Sequence, residues 1–434
     1  MSECFGKLAN YTDVKAQELW KTLYLCAKES SNRRFHALYD KIYRPDILAE
    51  AWRRVKRNQG SGGIDGQTIE EIVYQYGERN FLNELYIELK SKSYHPQAVR
   101  RMYIPKGDGK QRPLGIPTIK DRVVQMATKL VIEPIFEADF QDCSYGFRPK
   151  RNAHQAISKI RKASKTSHWI VDVDIQGYFD NINHDKLMRL VERRISDRRV
   201  LKLIRKWLKA GIMEHAQFHE TTLGTPQGGV ISPLLSNIYL NYMDTIWEKK
   251  CKHLGELIRY ADDFVIVCQT KQQALESIRI LQSIMNKLEL TIHTEKSKLV
   301  NTWDGNEGFD FLGFHHRKYP KHVKGGKKVH VMAHIPSQKA MKKMRERIKR
   351  YTEPRNKLYL QLEEMVKGLN RILQGFKNYY SLSSIGQRWL CKIDWYVLER
   401  LNLFWNKKRN VRKKHGRIKD LMKKTTYTLV KVGG

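Results

Sequence analysis

The sequence has no paired cysteines. Its six cysteines lie singly along the 434 residues, at Cys4, Cys26, Cys143, Cys251, Cys268 and Cys391. Without a Cys-x-x-Cys pair, the sequence offers neither a zinc ribbon nor a thiol redox motif. A disulfide framework is also not expected, since such frameworks are typical of small secreted domains.

Long apolar segments are missing as well. No apolar run approaches the length of about 20 residues that a membrane-spanning helix needs. The start, Met1-Ser-Glu-Cys4, lacks the basic residues and apolar core of a signal peptide. We therefore expect a cytoplasmic protein with no membrane partner.

Acidic residues are scarce relative to basic ones. The chain has 45 Asp and Glu against 81 Lys and Arg, a formal net charge of +36. The basic residues run the whole length of the chain, and such a surplus repels itself unless a polyanion offsets it. Nucleic acid is the polyanion that this pattern favours. The 41% hydrophobic content is that of a folded protein, and the length suggests two to four subdomains.

Local patterns predict a mixture of helices and strands. Asp46 to Asn58 has the spacing of an amphipathic helix, and the glycine-rich segment 59–66 ends it. Val99 to Ile116 is predicted as two strands around the turn 106–110. Further helices are expected over 121–140, 185–210 and 272–287. Segment 317–330 is either a hairpin or a flexible connection, and an all-helical third follows from Met341.

Acidic residues stand out in two predicted strands. Trp169 to Ile175 alternates apolar residues with Asp172 and Asp174, and Asp262-Asp263 lies between two β-forming runs. Taken alone, an Asp-Asp step is more often a hairpin tip than a metal site, because Asp is an ordinary turn residue. Five histidines between 315 and 334 are spaced too irregularly to predict a metal site.

These segments form an ordered series of motifs. Tyr260-Ala-Asp-Asp263 resembles polymerase motif C, and Val171-Asp-Val-Asp-Ile-Gln-Gly-Tyr-Phe-Asp-Asn-Ile-Asn-His184 resembles motif A. From about Tyr43 to Trp405 the chain resembles a group II intron-encoded reverse transcriptase and maturase. The resemblance implies Mg²⁺ ligands at Asp174, Asp262 and Asp263, with a carbonyl from Ile175. Asp172 does not fit this register, and Asp180 is expected to cap the following helix.

Other motifs imply nucleotide contacts. Ile104-Pro-Lys-Gly-Asp-Gly-Lys-Gln-Arg-Pro-Leu-Gly-Ile-Pro117 resembles the fingers hairpin, with Lys106 and Arg112 as the triphosphate clamp. Gly224-Thr-Pro-Gln-Gly-Gly-Val-Ile-Ser-Pro-Leu-Leu235 resembles motif B, which contributes Gln227 and Gly228. The remaining implied contacts are Phe179 as the gate against ribonucleotides, Lys296 as the acid of motif D, and the primer grip of Phe311, Leu312 and Gly313.

Two further blocks resemble the group II branch of the family. They are Cys143-Ser-Tyr-Gly-Phe-Arg-Pro-Lys-Arg-Asn-Ala-His154 and Gly62-Gly-Ile-Asp-Gly66. The resemblance implies an α+β, right-hand polymerase with fingers, palm, helical thumb and a basic C-terminal extension. Its expected parts are an N-terminal extension (1–66), fingers with the start of the palm (67–170), palm (171–316), connection and helical thumb or maturase (317–400), and a shortened DNA-binding tail (401–434).

The expected function follows from the resemblance. It is an RNA-directed DNA polymerase that also binds its group II intron RNA to promote splicing and retrohoming. The implied partners are that intron RNA, an RNA template with a DNA primer, and target DNA; nothing in the sequence sets the oligomeric state. Two alternatives are a stand-alone reverse transcriptase in defence or repair, and a maturase that has lost polymerase activity. No endonuclease signature follows Trp405, so independent second-strand cleavage is not expected.

Overall fold

The computed structural model describes residues 12–105, 111–214, 217–219, 222–225, 228–322, 328–382, 384–410, 418–425 and 428–434. Its α-helices are α1 (Thr12–Glu29), α2 (Tyr39–Ile42), α3 (Pro45–Arg57), α4 (Ile69–Glu71), α5 (Glu78–Ser91), α6 (Ile119–Glu137), α7 (Ala153–Ala163), α8 (His184–Glu192), α9 (Arg198–Leu208), α10 (Ser232–Ile246), α11 (Lys271–Lys287), α12 (Gln338–Thr352), α13 (Leu362–Tyr380), α14 (Gln387–Lys408) and α15 (Ile418–Thr425).

The strands among the described residues fall in three sheets. They are β1 (Val99–Pro105), β2 (Gln111–Ile116), β3 (Trp169–Val173), β4 (Ile212–Glu214), β5 (Gln217–His219), β6 (Glu256–Tyr260), β7 (Asp263–Cys268), β8 (Lys298–Asn301), β9 (Gly308–Phe311), β10 (Phe314–His322) and β11 (Lys328–Pro336). The strand orders are β2-β1-β4-β5, β6-β7-β3-β8 and β11-β10-β9. The mixed α and β character that the sequence predicts is confirmed.

The chain divides into two compact units. Unit 1 comprises residues 1–156, 173–266 and 275–297, and unit 2 comprises 157–172, 267–274 and 298–434. The predicted metal ligands all fall in unit 1, whereas the predicted primer grip and the C-terminal helices fall in unit 2.

The predicted amphipathic helix of unit 1 is confirmed as α3. Pro45 stands in its first turn, where a missing backbone N–H leaves no helical hydrogen bond unmade. The apolar face is buried and packs against α6. Glu50 is buried as well, and the guanidinium of Arg54 lies 2.6 Å from its carboxylate. Burial of this acid is therefore compensated by charge pairing.

The hairpin predicted over 99–116 is confirmed by its register. β1 and β2 pair antiparallel from Arg100 opposite Ile116 to Pro105 opposite Gln111. The predicted turn, with Lys106 and Lys110, lies outside the described residues. Gly63 lies against the loop after β2, since a Cβ there would stand 2.6 Å from the Thr118 Cα. This close approach needs a residue without a side chain.

Two predictions about the elements need refinement. The helix expected over 185–210 is two helices, α8 and α9, because Asp197 caps a new helix by accepting from the Arg199 backbone N–H. Segment 317–330 forms a hairpin, as β10 and β11 pair antiparallel over nine positions from Phe314 opposite Pro336. The alternative of a flexible connection is wrong for the described residues on both sides of 323–327.

Unit 2 is built around a helical core. Met341, Met344 and Ile348 of α12 are buried at helical spacing, which confirms the methionine stripe as core packing. α14 runs through the predicted boundary at residue 400, and Leu401 and Phe404 belong to the same core. None of the helices among the described residues is long and apolar enough to cross a membrane.

Candidate active site

Asp262 sits in a tight turn between β6 and β7. Ala261 adopts a left-handed conformation with φ of 60°, which is uncommon for a residue with a side chain. Asp262 follows it in the turn, and Asp263 is the first residue of β7. The predicted hairpin around the acidic pair is therefore confirmed. Only Asp262 belongs to its tip, because Asp263 already lies in the strand.

A buried arginine holds this turn. Arg259 has no exposed surface, and its guanidinium donates to the Ala261 carbonyl at 2.8 Å. It also donates to Asn237 Oδ1 at 3.0 Å, to Ser144 Oγ at 2.8 Å and to Asp244 Oδ2 at 2.5 Å. Burial opposes its charge, but the Asp244 carboxylate outweighs burial and raises the pKa of Arg259. The strained turn is thus anchored by a fully satisfied cation.

A backbone segment from the 143–154 block supports the same turn. The Tyr145 N–H donates to the Arg259 carbonyl at 2.9 Å, and Asn237 donates to the Gly146 carbonyl at 2.8 Å. A Cβ on Gly146 would stand 2.4 Å from the Ala261 nitrogen. Only glycine allows this approach. No role for this block follows from the sequence alone; in the structure it contacts the acidic turn.

Asp174 lies directly after β3. Its carbonyl accepts from the His293 N–H at 2.8 Å, and its N–H donates to Ser297 Oγ at 3.3 Å. The Lys296 ammonium lies 3.2 Å from Asp174 Oδ2. The predicted motif D lysine is therefore brought to the predicted motif A carboxylate. Ile175, the next residue, is buried and bridges antiparallel to Ile292.

The three carboxylates influence one another. Burial raises the pKa of Asp262, which the positive charge of Arg112 lowers and the negative charge of Asp174 raises. Burial, followed by the charges of Asp262 and Asp174, raises the pKa of Asp263 to about 6. Asp263 nevertheless keeps exposed surface. Like charges brought together in partial burial make a place where a cation is stabilised.

The donor set suits a hard divalent cation. Carboxylate oxygens are the ligands that Mg²⁺ prefers, and Asp174, Asp262 and Asp263 supply them. In the described part of the chain, however, no three His, Cys, Asp or Glu side chains are already arranged to hold a metal. Lys296 instead pairs with Asp174. The residues fit Mg²⁺ chemically, with Asp174 engaged by a lysine in this structure.

The predicted clamp is only partly described. Arg112 pairs with Ile104 across the hairpin, and its charge acts on the carboxylate of Asp262. This places a guanidinium within electrostatic range of the acidic turn. Lys106 and Gln227 lie outside the described residues. The clamp and the Gln227 contact therefore stay predictions.

The motif B glycines contact two other parts of unit 1. Gly224 lies against the 3₁₀ turn after β3, where its Cβ would stand 2.8 Å from the Phe179 carbonyl. Gly228 has φ of 122° and would place a Cβ 2.6 Å from the Gly115 carbonyl of β2. Phe179 itself is buried, with its ring centroid 5.2 Å from that of Tyr178. Its role as a gate stays a prediction.

One assignment in motif A is wrong. Asp180 was expected to cap the following helix, but it ends the 3₁₀ turn Tyr178–Asp180. Asn183 caps α8 instead, because its side chain accepts from the Lys186 N–H. Both residue types suit an N-cap, but Asp180 is part of the 3₁₀ turn, whereas Asn183 immediately precedes the first residue of α8.

The predicted primer grip is a tight turn in unit 2 between β9 and β10. Leu312 has φ of 52° and Gly313 has φ of 78°, while Phe311 is buried. Tyr379 donates to the Leu312 carbonyl at 2.9 Å, and a Cβ on Gly313 would stand 2.7 Å from the Tyr380 hydroxyl. The turn is held in a defined shape by α13; its contact with a primer stays a prediction.

Two segments of the chain match known family profiles. Residues 104–316 match the family profile described as reverse transcriptase (RNA-dependent DNA polymerase). Residues 341–424 match the maturase-specific domain of group II introns.

Two curated relatives are similar over long segments. Protein YkfC of Escherichia coli is 35% identical over 362 residues, which cover 74% of this chain and 93% of YkfC. The group II intron-encoded protein LtrA of Lactococcus lactis is 41% identical over 221 residues, which cover 50% of this chain and 36% of LtrA. The chain thus spans nearly all of one relative and about a third of the other.

Proposed function

The chain belongs to the group II intron-encoded reverse transcriptases and maturases, and we propose that it copies RNA into DNA and binds an intron RNA. The observation that carries this proposal is the acidic turn of Asp262 and Asp263, anchored by Arg259 within electrostatic reach of Asp174. The intact acidic set argues against a maturase whose polymerase has decayed.

Mg²⁺ is the proposed cofactor, held by Asp174, Asp262 and Asp263 with the Ile175 carbonyl. When bound as a pair, such ions lower the charge on the attacking 3′-oxygen and on the leaving pyrophosphate. The protein's own task is to present the carboxylates in fixed positions. Arg259 does this for the turn, and the His293 N–H and the Ser297 hydroxyl do it for the backbone of Asp174.

Cationic side chains would handle the triphosphate. Arg112 offers a guanidinium fork for phosphate oxygens, and Lys106 a point charge. Lys296 is the proposed proton donor to the pyrophosphate. Its side-chain nitrogen lies 3.2 Å from Asp174 Oδ2 in this structure, which puts the lysine close to the reaction centre. It must leave that carboxylate to reach a substrate oxygen.

Gln227, Gly228 and Phe179 would shape the pocket for the incoming nucleotide. Gly228 brings backbone close to β2 through its positive φ, and Phe179 stands five residues after Asp174, where an aromatic ring would exclude a ribose 2′-hydroxyl. Phe311, Leu312 and Gly313 would meet the primer end through backbone. We propose the right-hand layout of fingers, palm and thumb, with the bounds inferred from the sequence.

Intron RNA is the second proposed ligand. The match to a maturase-specific domain supports it, as does the net charge of +36. That match favours an intron-associated protein over a stand-alone reverse transcriptase. Splicing, retrohoming and contact with target DNA are proposed by analogy with LtrA, whose name describes it as group II intron-encoded.

Substitution of the acidic turn tests the polymerase proposal. We expect Asp262→Asn to abolish extension of a DNA primer on an RNA template, while affinity for the intron RNA stays within about twofold, because the amide keeps the side-chain shape and loses the charge. Primer extension and filter binding measure the two activities.

Asp172→Asn is the matched control. Asp172 lies two residues before Asp174, in the strand itself, and pairs in register with Lys298. Its substitution should leave extension nearly unchanged. Primer extension by Asp262→Asn at the rate of the unaltered chain would refute the assignment of the metal ligands.

A further inference from the structure

A turn in unit 2 holds a tryptophan in solvent. Trp303 is 63% exposed, although a ring of this size usually gains from being covered. It lies in segment 302–307, which joins β8 to β9. None of the catalytic roles proposed above uses this residue.

The turn around Trp303 is fixed by specific contacts. The Asn301 side chain accepts from the Trp303 N–H at 3.0 Å, and Glu307 accepts from the Asn301 N–H at 2.7 Å. Arg317 donates to the Gly305 carbonyl at 2.5 Å. Gly305 has φ of 74°, and a Cβ there would stand 2.4 Å from the Lys318 carbonyl. The exposed ring is therefore presented by a shaped turn.

A histidine and a lysine lie behind the ring. The His168 and Trp303 ring centroids are 4.3 Å apart at an interplanar angle of 75°. The Lys318 ammonium lies 5.7 Å from the Trp303 centroid and 2.5 Å from His168 Nδ1. An ammonium has only donors, so Nδ1 accepts and the imidazole is neutral. The Lys318 ammonium therefore lies on the side of the Trp303 ring that faces the protein.

A second aromatic and cation pair involves Trp169, the residue after His168 in the sequence. Trp169 is paired with Asn301 across β3 and β8, and the Lys271 ammonium lies 5.8 Å from its ring. Lys271 is exposed. The nearby acids are engaged within the turn, since Glu307 accepts from a backbone N–H and Asp304 accepts from Asn306.

We propose that Trp303 is a stacking platform for an unpaired base of RNA, with the Lys318 ammonium supplying positive charge on the side of the ring that faces the protein. Exposed aromatic rings flanked by cations are how proteins hold single strands, because every base has a flat face to stack. Duplex RNA does not expose such faces. The choice of RNA rests on the proposed function, in which both intron and template are RNA.

The test compares paired and unpaired RNA. Affinities of the full chain are measured by fluorescence anisotropy for a labelled single-stranded RNA of mixed sequence and for its perfect duplex. We expect Trp303→Ala to bind the single strand about 5- to 100-fold more weakly, as for other base-stacking aromatics. The duplex should bind within twofold. The dependence of affinity on salt should not change, because no phosphate contact is lost.

Three variants control the comparison. Trp303→Phe keeps a ring and should retain most of the affinity, whereas Trp303→Leu keeps apolar bulk and should behave like alanine. Tyr74→Ala removes an aromatic ring of unit 1 that is 83% exposed. None of the RNA contacts proposed above uses this residue, so its loss should leave single-strand affinity unchanged.

The proposal is overturned if Trp303→Ala and Trp303→Leu bind single-stranded RNA like the unaltered chain. Equal loss for duplex RNA, or equal loss in Tyr74→Ala, would overturn it too. Primer extension is measured in parallel on the unaltered chain. A chain that binds RNA through Trp303 and never extends a primer would refute the polymerase proposal and leave the stacking platform standing.

Discussion

Arg259 is expected to have two effects that substitutions can separate: it stabilises unit 1, and it positions the acidic turn for catalysis. Arg259 and Asp244 have no exposed side-chain surface and form an ion pair at 2.5 Å. Arg259→Met leaves the carboxylate buried without its partner, which typically costs about 3–5 kcal/mol. Loss of the donors to Ala261 and Asn237 adds about 1 kcal/mol for each hydrogen bond.

The double variant Arg259→Met/Asp244→Val removes both charges. It should be about 3–5 kcal/mol more stable than Arg259→Met, because no unpaired charge stays buried. Urea unfolding followed by circular dichroism measures this difference.

Activity should not recover together with stability. In both variants the Ala261 carbonyl has lost its anchor, so Asp262 is no longer held in place. A misplacement of about 1 Å can cost about 100-fold in rate. We therefore expect kcat for primer extension to stay about 100-fold low in the double variant. A double variant with the original kcat would refute the positioning role of Arg259, and one no more stable than Arg259→Met would refute the charge argument.

Three other predictions concern the turn, the histidine pair and the charge. Gly146→Ala should lower kcat strongly, because its Cβ would stand 2.4 Å from the Ala261 nitrogen, whereas Gly375→Ala, with nothing within 4 Å, should leave primer extension unchanged; equal effects would contradict this. Burial, then the charge of Arg161, lowers the pKa of His334 to about 4, against about 6.5 when unfolded. The unfolded chain therefore binds more protons as pH falls from about 6.5 to about 4, and up to about 3 kcal/mol of stability is lost. Unfolding of His334→Phe should depend less on pH over that range, and an identical dependence would refute the shift. Affinity for RNA should fall steeply between 50 and 200 mM salt because counterions are released, and a flat response in a binding titration would contradict the role given to the net charge.

Local sequence patterns were sufficient to predict several helices and strands. Ile47, Leu48, Ala51, Trp52 and Val55 of α3 recur at helical spacing and are buried. The hairpin of β1 and β2 follows from a turn between two β-forming runs, and its register is regular. In both cases the signal lies within about 20 neighbouring residues, where periodicity and turn chemistry act.

Other predictions, in which the sequence allowed two alternatives, could be decided only by the tertiary structure. Asp180 and Asn183 both suit an N-cap, but Asp180 is taken up in a 3₁₀ turn and α8 starts directly after Asn183. The basic, histidine-containing segment after Phe314 fitted both a hairpin and a loose connection. Burial of His316 against His334, with Nδ1 atoms 2.8 Å apart, accompanies the paired strands.

The sequence alone determined the motif order, the acidic residues and the charge of the chain, and with them the family. Only the tertiary structure showed that Arg259 reaches back to Asp244 and across to Ser144, and that Gly146 lies against the acidic turn. The physical reason is distance along the chain. Ser144 and Arg259 are separated by 115 residues, so no local periodicity links them. Their contact arises from packing, which satisfies a buried charge and thereby sets the position of Asp262.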